Sequence, residues 1–186
     1  MNLLEAIFAR RSIPLLRPDP IPKDVVERLL AAAVQAPNHH HVRPWRFIVI
    51  EGAARERLGD VMAESLQASH PEVPEAGLDK ERAKPLRAPL LIAVGVDLPE
   101  DPHVSELENV CAAAAAVENL LLAAQAFGLG AMWRTGAPAS DPRVKAFLGL
   151  GADQPVIAIV YVGYPATSDS PHPERPFFED RTTWMN

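Results

Sequence analysis

The sequence predicts one domain of the α/β class, helices laid on a small sheet, with residues 165–186 forming an extended arm outside it. Two uninterrupted apolar runs of strand length, Leu90 to Val96 and Val156 to Gly163, read as buried strands. Several stretches carry apolar residues at helical spacing, the longest from Ser105 to Phe127. The chain is 186 residues long without repeat, linker or low-complexity tract, enough for one core.

Taken in order, Asn2 with Glu5 three places on is a capping box for a first helix through Ile7 and Phe8, stopping before Pro14. After Pro22, the rows Val25, Leu29, Ala33 and Val26, Leu30, Val34 give a second helix ending at Ala36 and Pro37. Trp45 to Ile50 is aromatic and β-branched and reads as a strand. Helix returns from Ala53 to about Ala68. Residues 69–88 are charged and proline-containing with little periodicity, the composition of a mobile surface excursion or lid, with a helical piece near Leu78 to Lys84. Leu90 to Val96 is expected at the centre of the sheet, covered on both faces.

Ser105 and Glu108 form a second capping box, and the alanine-rich helix they open closes on Gly128 in the left-handed position. Being apolar nearly all round, it is expected inside the assembly, where pairing across a dimer would satisfy it. Gly130 to Trp133 reads as a short strand, and Asp141 with Pro142 caps a brief helix through Phe147. In the tail, Pro171, Pro173 and Pro176 forbid a helix, while Phe177, Phe178 and Trp184 call for burial against another surface.

Composition narrows the function. The net charge of −6 and pI near 5.5 leave no basic surface for nucleic acid. Cys111 is the single cysteine, so no intramolecular disulfide forms, and its position in the long helix predicts a buried, inert thiol. The start lacks the pattern of an export signal, and Val110 to Phe127 carries Glu118, Asn119 and Gln125, so no membrane span is expected and the cytoplasm is the predicted location.

Three motifs carry possible chemistry. Arg10-Arg11-Ser12 at the end of the first helix either answers the negative end of the helix dipole or supplies forked donors to a phosphate. His39-His40-His41 follows Pro37-Asn38 in a loop. Adjacent imidazoles diverge, so a metal site competes with a plain polar loop and with a ligand-facing one. Trp133-Arg134-Thr135-Gly136 after a strand is either a turn with a surface arginine or a segment whose glycine admits a ligand to the backbone. Gly128-Leu129-Gly130 follows a helix and is not a dinucleotide fingerprint. Neither a nucleophile elbow nor a P-loop occurs.

Their order is more informative than any one of them. A helix ending Arg10-Arg11-Ser12, a helix ending Ala36-Pro37-Asn38-His39, then Pro44-Trp45-Arg46-Phe47, a long alanine-rich helix closing on Gly128-Leu129-Gly130, and Trp133-Arg134-Thr135-Gly136 together resemble the FMN-dependent nitroreductase family, in its short YdjA-like type, from about Leu4 to Tyr164. The resemblance implies an α+β fold, a mixed β-sheet flanked by helices, in an intertwined homodimer with two FMN sites at the interface. It implies that Arg10, Arg11 and Ser12 hold the phosphate and ribityl chain, that Gln35 and His39 reach the flavin of the other subunit, and that Trp133, Arg134, Thr135 and Gly136 lie beside the flavin and its phosphate. Arg175 in the tail is a further candidate for the phosphate. Gln35 stands where short members commonly carry arginine, one charge fewer.

The implied activity is ping-pong hydride transfer from NAD(P)H to flavin N5 and on to a small nitroaromatic or quinone-like acceptor. Such chemistry needs no protein nucleophile or metal, since the cofactor carries the electrons. A near-dianionic phosphate in a partly buried cleft needs cations to offset its desolvation, which Arg10, Arg11 and Arg134 supply. Two alternatives belong to other classes: an FMN-binding sensor or carrier without significant turnover, and a metalloprotein built on the histidine triplet.

Overall fold

The computed structural model describes residues 2–167, 174–175 and 177–185. The chain opens with α1 (Leu3–Ala9), capped reciprocally: the Glu5 amide donates to Asn2 Oδ1 at 2.9 Å and the Asn2 amide donates to Glu5 Oε2 at 2.9 Å. The helix stops well before Pro14, because the next residues are drawn out along the sheet. The Ile13 amide donates to the Ala131 carbonyl at 3.0 Å and the Arg17 amide to that of Tyr164 at 2.8 Å. Then come α2 (Lys23–Ala33), a 3₁₀ turn at His39–His41, β1 (Trp45–Glu51) and α3 (Ala53–Ser69). These are followed by α4 (Glu75–Arg82), a 3₁₀ turn at Lys84–Arg87, β2 (Leu90–Val96) and α5 (Glu106–Ala126). The last are β3 (Gly130–Arg134), α6 (Ala137–Ser140), α7 (Pro142–Phe147) and β4 (Val156–Gly163).

The four strands lie in the order β1-β2-β4-β3 and every pair is antiparallel. The parallel component is the bridge from Ser12 to Ala131, which lays the segment after α1 along the free edge of β3. Alternation along β2 divides the core into two layers. Leu90, Ile92, Val94 and Val96 face α2 and α5, whereas Leu91 and Ala93 face α3 and α7. Every residue of β2 is buried, as its unbroken apolar run predicts.

Three expectations change. Residues 69–88 are not a loose excursion: α4 and the following 3₁₀ turn pack on α3, with Leu78 only 2% exposed. Charges hid the periodicity, since α4 buries little beyond Leu78 and Glu81. The short α6 follows directly on Gly136, where the sequence offers a turn and no helical signal. Cys111 is exposed, not buried. It lies on the side of α5 that the rest of the chain leaves open, with Leu107 70% exposed one turn before it.

By length and hydropathy α5 would qualify to cross a bilayer. Its buried side, including Ala113, Ala116, Val117 and Leu120, instead packs on α2 and the sheet. In the arm, Phe177, Phe178 and Trp184 are exposed rather than buried, while Pro171, Pro173 and Pro176 lie outside the described residues.

Asp141 joins the α3 side of the domain together. Its carboxylate accepts the Arg143 amide at 2.8 Å, the Val144 amide at 3.2 Å and the Ser65 hydroxyl of α3. Burial works against its charge, but these donors outweigh burial and hold the carboxyl below its usual range. A carboxyl depressed on folding contributes stability above its unfolded pKa and loses it as pH falls through the folded value. Asp141→Asn keeps a capping acceptor and removes the charge. The difference in melting temperature between parent and Asp141→Asn is expected to hold constant from about pH 7 to about pH 5 and to shrink as pH falls further. A gap independent of pH refutes the assignment.

Candidate functional site

The free edge of β3 is where distant segments meet. Arg10 is the extended C-cap of α1, and its Nε lies 3.3 Å from Glu118 Oε1 on α5. Its carbonyl accepts from Arg175 Nη2 at 2.9 Å, which brings the tail's arginine beside the first of the pair. Arg11 is half-buried, with Nη1 3.4 Å from the Ala9 carbonyl. Ser12 pairs with Ala131, three residues before Arg134. The structure thus unites the Arg-Arg-Ser segment with Trp133 to Gly136.

Along β3, side chains alternate between faces. Ala131 and Trp133 turn to the α2 and α5 layer, and the Trp133 indole N–H donates to the Ile157 carbonyl at 2.8 Å. Met132 and Arg134 turn to the α3 layer, where the Arg134 guanidinium lies 5.7 Å from the centre of the Tyr161 ring. Arg10 and Arg134 therefore flank the edge from opposite faces of the sheet. Gly136 has φ of +97°, a value L side chains rarely adopt, and with Thr135 it lines a pocket of about 250 Å³ together with Ser65, Glu81 and Lys84. Burial pushes the Tyr161 phenol above its usual pKa, with the Arg134 charge acting in the other direction.

Gln35 and His39 lie along α5 rather than at that edge. Gln35 Nε2 donates back to the Ala31 carbonyl at 3.2 Å, and the side chain lines a groove of about 350 Å³ with Asn2, Ala32, Asn119 and Leu122. His39 borders a groove of about 400 Å³ with Glu108, Cys111 and Ala115, its Nε2 3.9 Å from Glu108 Oε1. The His40 ring lies 4.3 Å from that of His39, centre to centre. His40 Nδ1 lies 3.2 Å from Asp101, whose other oxygen meets His103 Nδ1 at 3.0 Å. These contacts and the His103 amide hold the Asp101 carboxyl below its usual value, the amide contributing most. His40, His41 and Arg43 have φ of 49°, 55° and 51°, a strained run for non-glycine residues. Among the described residues no three His, Cys, Asp or Glu side chains are placed to hold a metal ion.

Sequence reasoning missed Tyr161 and Glu118 as neighbours of the two arginines. The strand run places Tyr161 in the sheet, but only the register of β3 on β4 sets it beside Arg134.

These features define a class: an α+β domain that presents guanidinium and hydroxyl donors from two remote segments at one sheet edge, suited to an anionic ligand. The nitroreductase family model matches residues 7–164, and the chain belongs to that family of oxidoreductases. The Escherichia coli (strain K12) protein named "Putative NAD(P)H nitroreductase YdjA" is 34% identical over 166 residues, 89% of each chain. The crystal structure of a nitroreductase-like family protein from Bacillus cereus superposes with a TM-score of 0.84 at 27% identity, covering 100% of this chain and 96% of that one. A nitroreductase from Bacteroides fragilis with bound FMN shares the fold, with a TM-score of 0.75 at 24% identity over 100% of both chains.

Proposed function

We propose that the chain is an FMN-dependent NAD(P)H oxidoreductase that works by ping-pong transfer on small nitroaromatic or quinone-like acceptors, as a homodimer with shared flavin sites. The observation that carries this reading is the pairing of Ser12 with Ala131, which joins Arg10, Arg11 and Ser12 to the Trp133–Gly136 segment at one edge. The donor set suits a phosphate monoester: two forked guanidiniums and a hydroxyl in sequence, with Arg175 bonded to the Arg10 carbonyl. When bound, FMN supplies the acceptance and donation of hydride, so the protein needs no nucleophile of its own. Arg10 and Arg11 offset the phosphate charge. Thr135 and Gly136 offer a hydroxyl and an unobstructed backbone to the same ligand, on a strand end fixed by the Trp133 bond to Ile157.

The shared site is supported by what one protomer leaves uncovered. Leu3, Leu4 and Phe8 of α1, Leu107 of α5, and Phe177 and Trp184 of the arm are each at least 64% exposed. Together with the open side of α5, they offer an apolar surface that a second copy would bury. Gln35 and His39 border that surface and would reach the partner's flavin.

The test is optical. The purified protein is expected to be yellow or to take up added FMN, to bleach anaerobically with NADH or NADPH, and to recover colour with a quinone. Failure to bind FMN overturns the proposal, whereas FMN that never bleaches makes the chain a carrier or sensor. Sedimentation on dilution is expected to show dimer dissociation together with FMN release, and a folded FMN-bound monomer refutes the shared site.

A further inference from the structure

We infer that Tyr161 is a positioning residue for the flavin site, its ring holding the Arg134 guanidinium in place while leaving that group's charge and donors available to an anion. The inference rests on the proposed reading that Arg134 faces FMN. Met132 pairs with Tyr161 and Arg134 with Ile159, so Arg134 and Tyr161 are diagonal neighbours on one face of an antiparallel pair. Tyr161 is 7% exposed, hence a fixed surface, and the 5.7 Å from guanidinium carbon to ring centre lies within cation–π range.

The choice of partner is what points to a ligand. Arg10 is paired with Glu118, Arg28 with Asp24, Arg46 with Asp97, and Arg82 with Glu75 and Asp79. Arg134 is half-buried, yet no hydrogen bond or salt bridge of the described residues engages it. The buried carboxylate whose charge reaches Tyr161, that of Glu81, is bound to Lys84. A carboxylate partner would offset part of the charge of Arg134 and occupy some of its N–H groups, as Glu118 does for Arg10. An aromatic face restrains the side chain electrostatically and uses none of its five donors. A half-buried guanidinium without a counter-charge is costly until an anion arrives, and the ring keeps it aimed in the meantime.

The test is FMN titration, followed by fluorescence quenching, of the parent, Tyr161→Phe, Tyr161→Leu, Arg134→Met and the Tyr161→Leu/Arg134→Met pair, each checked for an unchanged fold by circular dichroism. Tyr161→Phe keeps the ring and is expected to stay within about twofold of the parent, while Tyr161→Leu weakens binding about fivefold. In the Arg134→Met background, Tyr161→Leu is expected to add nothing, because the two act as one unit. Equal weakening in both backgrounds, or equal affinity of the Phe and Leu variants, overturns the inference while leaving the flavin reading intact. Refusal of FMN by the parent overturns the flavin reading and with it this role in the flavin site. The contact itself is read independently by the ring-current shift of the Arg134 Nε–H resonance, expected in the parent and Tyr161→Phe and absent in Tyr161→Leu. A parent without that shift overturns the inference whatever its affinity for FMN.

Discussion

Arg10→Ala/Arg11→Ala is expected to bind FMN about a hundredfold less tightly than the parent, with little change in melting temperature. A hydrogen bond to a charged group contributes roughly 1.5–3 kcal/mol, so two lost guanidinium contacts cost on the order of 3 kcal/mol, about two decades in affinity. Stability should hold because the partner that Arg10 leaves behind, Glu118, has a half-exposed side chain and can be hydrated. Arg10→Lys distinguishes charge from geometry. It keeps the cation but loses the fork, and its affinity should fall between parent and double variant. Raising the salt concentration should weaken the parent more than the double variant, whose remaining binding depends less on charge. Equal affinities for parent and double variant, measured at fixed ionic strength, refute the assignment of this segment to the phosphate.

Much of the architecture was legible because its signals are local. The capping boxes at Asn2 and Ser105 announce α1 and α5, the unbroken apolar runs announce β2 and β4, and Asp141-Pro142 announces α7. What failed was non-local. The segment 10–17 lies extended because the carbonyls of Ala131 and Tyr164 accept its amides, a fact no window around Ser12 contains. Cys111 reads as buried because the helix around it is apolar, a signal that belongs to the helix as a whole and not to one face of it. It is exposed because α2 and the sheet cover only one side of α5.

The candidate site divides in the same way. Its residue types and order carried the family resemblance, and the edge formed by Ser12 and Ala131 gives Arg10 to Ser12 and Trp133 to Gly136 a common place. The side-chain directions are set by register. Arg10 turns toward Glu118 and Arg134 toward Tyr161, on opposite faces of the sheet, which spacing along the chain cannot reveal. The strained turn beyond His39 is equally silent in sequence. Three left-handed φ values fall on His40, His41 and Arg43, with no glycine among them to mark the turn.

The largest effect on stability is expected at Gly59, where α3 meets α4. A Cβ at this position would sit 2.3 Å from the carbonyl oxygen of Arg82 and 3.0 Å from its carbonyl carbon. Both are backbone atoms, so no side-chain rotation relieves the overlap. In an isolated helix Gly→Ala gains about 1 kcal/mol from backbone entropy, so propensity alone predicts a more stable protein. Here the end of α4 must move, and with it Leu78 and the buried Glu81 that pairs with Lys84. Overpacking of this kind costs about 1–3 kcal/mol, and more where backbone must shift, so Gly59→Ala is expected to be destabilising by about 2 kcal/mol net. In a domain of this size that lowers the melting temperature by about 4–8 °C. Amide exchange should accelerate across 75–87 ahead of the sheet, since α4 is the element displaced. A neutral or stabilising Gly59→Ala would mean that α4 does not rest on α3, and that residues 69–88 are the mobile excursion their composition suggests.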